Sequence, residues 1–180
     1  METLSDNTIM LRVKAGELDQ MALLFERHRQ PLYRFLLYMS HQPEASEDMV
    51  QTVFYRMLQY RHTFTGKGEW LTWMYHLARN VLKDHAKKES GRGMHLPIEM
   101  ADHYPAEGNP SLEKKEARER LYAAINRLSA EQREVVVLSA LQELRHKEIA
   151  EILGLREDAV RARFYRGMQE LKSYYQKLPE

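Results

Sequence analysis

The chain has 180 residues, a formal net charge of +1 and no cysteine. This length allows one domain or two small ones, and a chain without cysteine has neither a disulfide framework nor a thiolate site, as is typical of the reducing cytoplasm. No stretch approaches the length of a membrane span, and residues 1–17 lack the apolar core of a signal peptide, so we expect a cytoplasmic protein without membrane insertion.

The first forty residues predict two helical stretches. Ser5 or Asp6 can cap a short helix that ends at Gly16, and a longer stretch covers about residues 18–39. Pro31 lies inside the second stretch and is expected to kink it or divide it in two. The apolar positions predicted for the core are Ile9, Met10, Val13, Met21, Leu24, Phe25, Leu32, Phe35, Leu36 and Met39.

A loop over residues 39–45 is expected to precede a helix over about residues 46–60. The apolar residues of this helix form a stripe with a period of 3.6 residues. They are Met49, Val50, Val53, Phe54, Met57 and Leu58. The opposite side carries Asp48, Gln51, Thr52 and Tyr55. From the spacing alone, this polar side is either solvated or binds a partner protein.

Residues 61–69 predict a loop in which Gly66 and Gly68 flank Lys67, without the strand that a phosphate-binding loop requires. The next helix covers about residues 70–88. Its predicted core residues are Trp70, Trp73, Met74, Leu77, Ala78, Val81 and Leu82. Its other face carries Tyr75, His76, Arg79, Asn80, Lys83 and Lys87. An aromatic ring, an amide and several cations on one face suit single-stranded nucleic acid, and an ordinary solvated basic face fits them equally well.

Between these helices and the C-terminal third, the chain loses its periodicity and turns acidic. Residues 94–113 contain four acidic residues and neither Lys nor Arg, whereas residues 79–93 and 145–177 are rich in basic residues. We therefore predict an all-α protein of two small helical domains, residues 1–90 and 110–180, joined by a flexible acidic linker over residues 91–109.

The second domain is expected to begin with a helix that Asn109 caps, with Pro110 in its first turn and its end near Arg127. Ser129 and Gln132 then form the pattern of a capping box at the start of another helix. The predicted core positions of these two helices are Leu112, Leu121, Ala124, Ile125, Leu128, Val135, Val136, Leu138 and Leu141.

Residues 144–171 have the pattern of a helix-turn-helix. A first helix over residues 146–153 is followed at once by Gly154, and a second helix begins near Glu157. Its buried stripe continues through Val160, Phe164 and Leu171, and its other face carries Arg161, Ala162, Tyr165 and Arg166. An amphipathic hairpin with a solvated basic face is the alternative. The short turn, the glycine and the clustered cations favour contact with duplex DNA.

The motifs of common enzyme classes are missing from the sequence. There is no HExxH, nucleophile elbow, Walker motif or dinucleotide fingerprint, and the eight histidines form no closely spaced ligand cluster. We expect no enzymatic activity, no metal and no cofactor.

Five segments in order resemble the bacterial RNA polymerase sigma factors of the extracytoplasmic-function group. Residues 47–54 (EDMVQTVF) resemble the family's EDLVQEVF, and residues 73–80 (WMYHLARN) resemble its WLYRIARN. Residues 128–135 (LSAEQREV) resemble LPERQREV, residues 148–154 match EIAEILG, and residues 160–166 (VRARFYR) resemble VKSRLHRA without its final alanine. The resemblance covers nearly the whole chain.

This resemblance implies that the first domain is sigma region 2, which docks on core RNA polymerase and recognises the melted minus-ten element. It implies that the second domain is sigma region 4, which contacts the minus-thirty-five element as duplex DNA. An anti-sigma factor is a further implied partner. The implied polymerase contacts are Asp48, Gln51, Thr52 and Tyr55, with Thr52 where the family has glutamate. The implied minus-ten contacts are Lys67, Tyr75, His76, Arg79, Asn80 and Lys83. The implied minus-thirty-five contacts are Arg156, Arg161, Ala162, Tyr165 and Arg166.

Two alternatives come from other functional classes. One is a helix-turn-helix regulator that acts without docking on polymerase, which leaves the polar side of residues 46–60 without a role. The other is a helical adaptor protein that makes no contact with nucleic acid.

Overall fold

The computed structural model describes residues 4–91 and 111–179, which form α-helices and no β-strand. In chain order the helices are α1 (Asp6–Lys14), α2 (Met21–Ser40), α3 (Pro43–Gln59), α4 (Trp70–Glu89), α5 (Leu112–Asn126), α6 (Ala130–Val136), α7 (His146–Leu153) and α8 (Glu157–Lys177). Short 3₁₀ turns over Leu18–Gln20 and Arg61–Thr63 precede α2 and follow α3, and a π-helical segment over Val137–Leu141 extends α6.

The described residues divide into two compact units. The first contains residues 4–36 and 44–91, and the second contains residues 37–43 and 111–179. The prediction of an all-α protein with two small helical parts is thereby confirmed. The predicted linker lies outside the described residues, except for Gly91, and the domain boundaries stay a prediction.

In the first unit, α1 forms as its sequence predicts. The Ser5 side chain accepts a hydrogen bond from the Thr8 backbone N–H at 3.2 Å, which satisfies one of the free donors at the helix start. Ile9, Met10 and Val13 are fully buried. This apolar face attaches α1 firmly to the rest of the unit, because three complete side chains leave water.

Helix α2 runs without a break through Pro31, so the expected division into two helices does not occur. A proline inside a helix removes one backbone hydrogen bond and crowds the preceding turn. Leu24 and Leu32, on either side of it, are fully buried, and packing of this kind can hold a helix together across a proline.

The loop predicted over residues 39–45 is shorter in the structure. His41 adopts a left-handed conformation (φ 58°) that ends α2, and α3 starts only two residues later at Pro43. Proline suits the first turn of a helix, because the N–H that it lacks has no helical partner there.

In the second unit, α5 begins at Leu112 with Ser111 in the capping position, and the predicted cap Asn109 lies outside the described residues. Leu112 is 71 % exposed, so its assignment to the core is wrong. Tyr122, which the prediction omitted, is buried instead. At the helix start the periodic pattern is too short to show which side faces the core.

Helix α6 begins as predicted, with the Ser129 hydroxyl accepting from the Gln132 backbone N–H at 3.2 Å. The reciprocal hydrogen bond of a capping box, from the Ser129 N–H to the Gln132 side chain, is not formed. The Gln132 side chain instead donates from Nε2 to the Glu170 carboxylate at 3.2 Å. The predicted core residue Leu141 is 38 % exposed and Val137 is fully buried. The wider turn of the π-helical segment changes which residues share a face, and a pattern of period 3.6 does not anticipate this.

Candidate nucleic-acid interface

Helix α3 separates a buried stripe from an exposed polar face. Met49, Val50, Val53, Phe54 and Met57 are buried. On the other side Asp48 and Gln51 are exposed, and Tyr55 is 65 % exposed. The Thr52 hydroxyl donates to the Asp48 backbone oxygen at 3.0 Å, so its hydrogen atom is already used within the helix. We call Asp48, Gln51 and Tyr55 the α3 polar face.

The loop over residues 64–69 and the following helix α4 present polar groups in the first unit. Lys67 is exposed between Gly66, which has a left-handed conformation (φ 74°), and Gly68. The predicted surface residues His76, Asn80 and Lys83 of α4 are exposed, and Arg79 is half-buried. We call these four residues of α4 the α4 basic face.

Tyr75 does not belong to this face, so its predicted exposure is wrong. Its side chain is 1 % exposed and packs edge-on against Phe35, with 5.1 Å between ring centroids. Burial raises the pKa of the Tyr75 hydroxyl above its ordinary value. Thr72 is also buried, which shows that α4 is covered over a wider arc than its apolar residues indicate. Conversely, the predicted core residue Trp73 is only half-buried.

The helix-turn-helix forms as predicted within the second unit. Gly154 has φ 65° and ends α7, because a left-handed residue at this position redirects the chain without steric cost only when it lacks a Cβ. At the other end of α7, the Glu148 carboxylate accepts from the Arg145 backbone N–H at 2.8 Å and pairs with the Arg145 guanidinium at 3.0 Å. These hydrogen bonds lower the pKa of Glu148. Ile152 is buried, and Leu153 is half-buried.

Helix α8 presents the predicted DNA-contacting surface to solvent. Its members are all exposed: Arg156, Arg161, Ala162, Tyr165 and Arg166. We call this set the recognition face. The Arg161 guanidinium lies 3.2 Å from the Glu157 carboxylate, and Arg156 lies 3.6 Å from Asp158. Exposed ion pairs of this kind are weak, so both guanidinium groups can exchange their partner for a phosphate or a base edge.

Gly167 sets the contact between α8 and α6, and its role was missed in the sequence. A Cβ added at this position would lie 2.9 Å from Cγ2 of Val136, closer than two carbon atoms can approach without displacement. The backbones of the two helices therefore approach closely at this glycine. The family motif VKSRLHRA ends in alanine, and this chain has Gly167 at that position. This difference was the available sign in the sequence. The depth at which α8 sits on α6 depends on this position.

The described residues contain neither a metal-binding cluster nor a membrane-spanning helix. Over residues 4–91 and 111–179, no group of three or more His, Cys, Asp or Glu side chains is arranged to hold a metal ion. In the same part of the chain, no helix is long and apolar enough to cross a membrane.

Two family models match the chain, one in each half. Residues 24–92 match the model described as Sigma-70 region 2, and residues 118–171 match the model described as Sigma-70, region 4. The first match contains α3, the loop over residues 64–69 and α4. The second contains the helix-turn-helix up to Leu171. Helix α1 precedes both matches.

The chain is also similar to individual proteins. It is 28 % identical over 165 residues to the ECF RNA polymerase sigma factor SigX of Bacillus subtilis, covering 88 % of this chain and 84 % of that protein. It is 31 % identical over 163 residues to the ECF RNA polymerase sigma factor BldN of Streptomyces coelicolor, covering 89 % of this chain and 62 % of BldN.

Two solved structures have a similar fold. One is CnrH in complex with the cytosolic domain of CnrY, with a TM-score of 0.71, 20 % identity and coverage of 93 % of this chain and 95 % of that one. The other is the sigma factor RpoE in complex with the anti-sigma factor NepR from Bartonella quintana, with a TM-score of 0.71, 21 % identity and coverage of 91 % and 99 %.

Proposed function

Because the chain belongs to the sigma-70 family of bacterial RNA polymerase sigma factors, in its extracytoplasmic-function group, we propose that it binds core RNA polymerase and directs promoter-specific initiation of transcription. It acts in the cytoplasm as a binding protein and not as an enzyme.

The observation that carries this proposal is the α3 polar face. A DNA-binding regulator accounts for the recognition face, but it gives no role to a carboxylate, an amide and a tyrosine exposed together opposite a buried stripe. Tyrosine is enriched at protein interfaces, and a 65 % exposed Tyr55 beside Asp48 and Gln51 suits a protein partner. The segment that contains them resembles the polymerase-docking helix of the family.

The direct test is the affinity for core RNA polymerase of variants with a truncated polar side chain. We expect Asp48→Ala and Gln51→Ala each to weaken binding by about 1–3 kcal/mol, which is roughly 5- to 150-fold in Kd. Neither should change the thermal unfolding of the first unit, because both side chains are exposed. Glu26→Ala is the matched control, since it removes a carboxylate of α2 that is 66 % exposed.

Unchanged affinity in both α3 variants would remove the docking assignment. Wild-type protein that binds duplex DNA but not core polymerase would support the regulator, and protein that binds neither would support the adaptor. A salt titration of DNA binding separates the last two cases, because phosphate contacts make affinity fall steeply with salt.

We further propose that the two units contact promoter DNA in different forms. The recognition face binds the duplex minus-thirty-five element, since a helix with exposed arginines can enter the major groove. Lys67 and the α4 basic face hold the opened strand of the minus-ten element. Tyr75 has no place among these contacts because its ring is buried.

This division is tested with holoenzyme on a promoter that the wild-type holoenzyme has selected from a randomised duplex pool. Arg161→Ala should weaken promoter binding on duplex and on a pre-opened bubble template alike, by about 1–3 kcal/mol if a bidentate base contact is lost. Asn80→Ala should reduce open-complex formation, detected by permanganate, and the bubble should restore the part of the defect that is due to melting. If Arg161→Ala and Asn80→Ala gave the same defect as each other on both templates, the division would be contradicted.

Arg163→Ala is the control on the same helix as Arg161. Its guanidinium lies 3.4 Å from the Glu131 carboxylate, and the side chain is 25 % exposed. Its loss should therefore lower the stability of the second unit without changing the promoter sequences that are selected.

Regulation by an anti-sigma factor is part of the same proposal. CnrH was solved with the cytosolic domain of CnrY, and RpoE was solved with the anti-sigma factor NepR. We propose that an anti-sigma factor also binds the present chain. The observable consequence is competition: such a partner should lower the binding of core polymerase to wild-type protein as its concentration rises.

A further inference from the structure

Helix α1 lies outside both segments that match the family, yet it makes a series of contacts with the loop over residues 64–69. The Asn7 side chain donates from Nδ2 to the Gly68 carbonyl at 2.8 Å and accepts at Oδ1 from the Trp70 backbone N–H at 2.6 Å. One amide therefore joins the end of the loop to the first residue of α4. An asparagine side chain can do this because its amide carries both a donor and an acceptor.

Two more α1 residues hold the other parts of the loop. Lys14 donates from Nζ to the Phe64 carbonyl at 2.6 Å, at the start of the loop. In the middle, the side chain of Leu11 lies against Gly66, where an added Cβ would come within 3.2 Å of it. The start, the middle and the end of the loop thus each contact a different turn or side of α1.

Helix α1 is itself fixed, so it can hold the loop in one shape. Its apolar face is fully buried. Asp6 pairs with the Arg27 guanidinium at 2.8 Å and with the His28 ring at 2.7 Å, both on α2. The His28 ring in turn lies 4.6 Å from the ring of Trp70. A loop with two glycines would otherwise have many conformations, and an element that selects one of them lowers the entropy lost on binding.

We infer that α1 positions the loop over residues 64–69 for capture of the opened promoter strand, with Asn7 as the main positioning residue and Lys67 as the group that acts on the DNA. This inference rests on the proposed role of Lys67 at the minus-ten element. Asn7 does not touch the DNA. It acts by holding the backbone on which Lys67 is carried, as a supporting residue does in other preorganised sites.

The experiment uses holoenzyme with the full chain, on the selected promoter as duplex and as bubble template. Asn7→Ala should lower capture of the opened strand by roughly tenfold, as expected when a preorganised loop becomes flexible. Affinity for core polymerase and binding of the upstream duplex should stay at the wild-type level. Thr8→Ala is the matched control, because Thr8 is the next residue on α1, is exposed, and forms its side-chain hydrogen bond with Ser5. It should capture the strand normally.

A positioning role is separated from a general loss of stability by a double-mutant cycle with Lys67→Ala. If Asn7 acts through Lys67, the double variant should be little worse than Lys67→Ala alone. The effects of two substitutions do not add when one residue acts through the other. Additive defects, or parallel loss of core binding and strand capture in Asn7→Ala, would overturn the inference.

Hydrogen exchange of the free protein supplies a second readout that does not depend on DNA. The amides of residues 64–69 should exchange faster in Asn7→Ala, while those of α3 and α5 keep their protection. Unchanged exchange in the loop would overturn the positioning role even if Asn7→Ala lowers strand capture. Holoenzyme that initiates normally with Lys67→Ala would also overturn it while leaving the sigma-factor function in place, so the two failures can be told apart.

Discussion

Replacing Gly167 with alanine puts the close packing of α8 on α6 to a quantitative test. Alanine is favoured over glycine inside a helix by about 1 kcal/mol, so Gly167→Ala would stabilise α8 if its surroundings were open. The new Cβ would instead lie 2.9 Å from Cγ2 of Val136. Val136 is 1 % exposed and β-branched, so it can neither move into solvent nor change rotamer readily. Overpacking of this kind costs about 1–3 kcal/mol.

The gain in helix propensity and the cost of overpacking together predict a net destabilisation of about 0–2 kcal/mol for Gly167→Ala in the wild-type background. In a Val136→Ala background the obstructing methyl group is gone, and the same substitution should stabilise the helix by about 1 kcal/mol. The coupling energy between the two positions is then about 1–3 kcal/mol, although Val136→Ala alone costs roughly 2 kcal/mol through lost burial.

The assay must report on the second unit alone. Both tryptophans of the chain, Trp70 and Trp73, belong to the first unit, so tryptophan fluorescence does not follow unfolding of α6 and α8. Hydrogen exchange measured on peptides from these two helices gives their local unfolding free energy, with fluorescence as the internal control. Substitution effects that add within about 0.5 kcal/mol would refute the close contact. The same result would remove Gly167 as the residue that sets the depth of the recognition helix.

Two further predictions concern Tyr75 and Glu148. Tyr75→Ala should lower the unfolding free energy of the first unit by about 3–5 kcal/mol, measured by urea unfolding with tryptophan fluorescence. Asn80→Ala, five residues along the same helix, should lower it by less than about 0.5 kcal/mol. Similar losses in the two variants would contradict the burial of Tyr75. Because the folded protein lowers the pKa of Glu148 from the ordinary 4.5, its stabilisation of α7 is fully present above that value and is lost as pH falls through the lowered one. The unfolding free energy of α7, measured by hydrogen exchange of its amides, should therefore differ less and less between wild type and Glu148→Gln as pH is lowered from about 6 to about 4. A constant difference would show that the carboxylate charge does not stabilise the helix start.

The helices and the turn of the DNA-binding motif could be predicted because their signals are local. Ser5 caps α1 as expected, Ser129 caps α6, and Gly154 ends α7 in the left-handed conformation. Each of these signals depends on residues within one or two turns of a helix, and the hydrogen bonds that satisfy a helix end are short-range in sequence. The exposed members of the recognition face follow from the same local periodicity.

The error at Tyr75 has a different origin. Helical spacing shows which residues share a side of α4, but the width of the buried side depends on what packs against it. The ring of Phe35, which comes from α2, covers Tyr75. The spacing alone therefore placed Tyr75 beside Arg79 and Asn80, and only the tertiary structure shows that its ring is inside the unit. A motif match transfers a residue type to a position without showing whether the side chain there can reach a ligand.

The contacts of α1 with the loop over residues 64–69 lie still further from any local signal. Asn7 and Gly68 are 61 positions apart in the chain, Asn7 and Trp70 are 63 apart, and Lys14 and Phe64 are 50 apart. None of these pairs forms a motif, and α1 lies before residue 24, where the region 2 match begins. If the loop requires α1 to capture the opened strand, the functional unit extends beyond the matched segment. In the full chain, Asn7→Ala should then reduce strand capture even though the whole matched segment, with Lys67 and the α4 basic face, is unchanged.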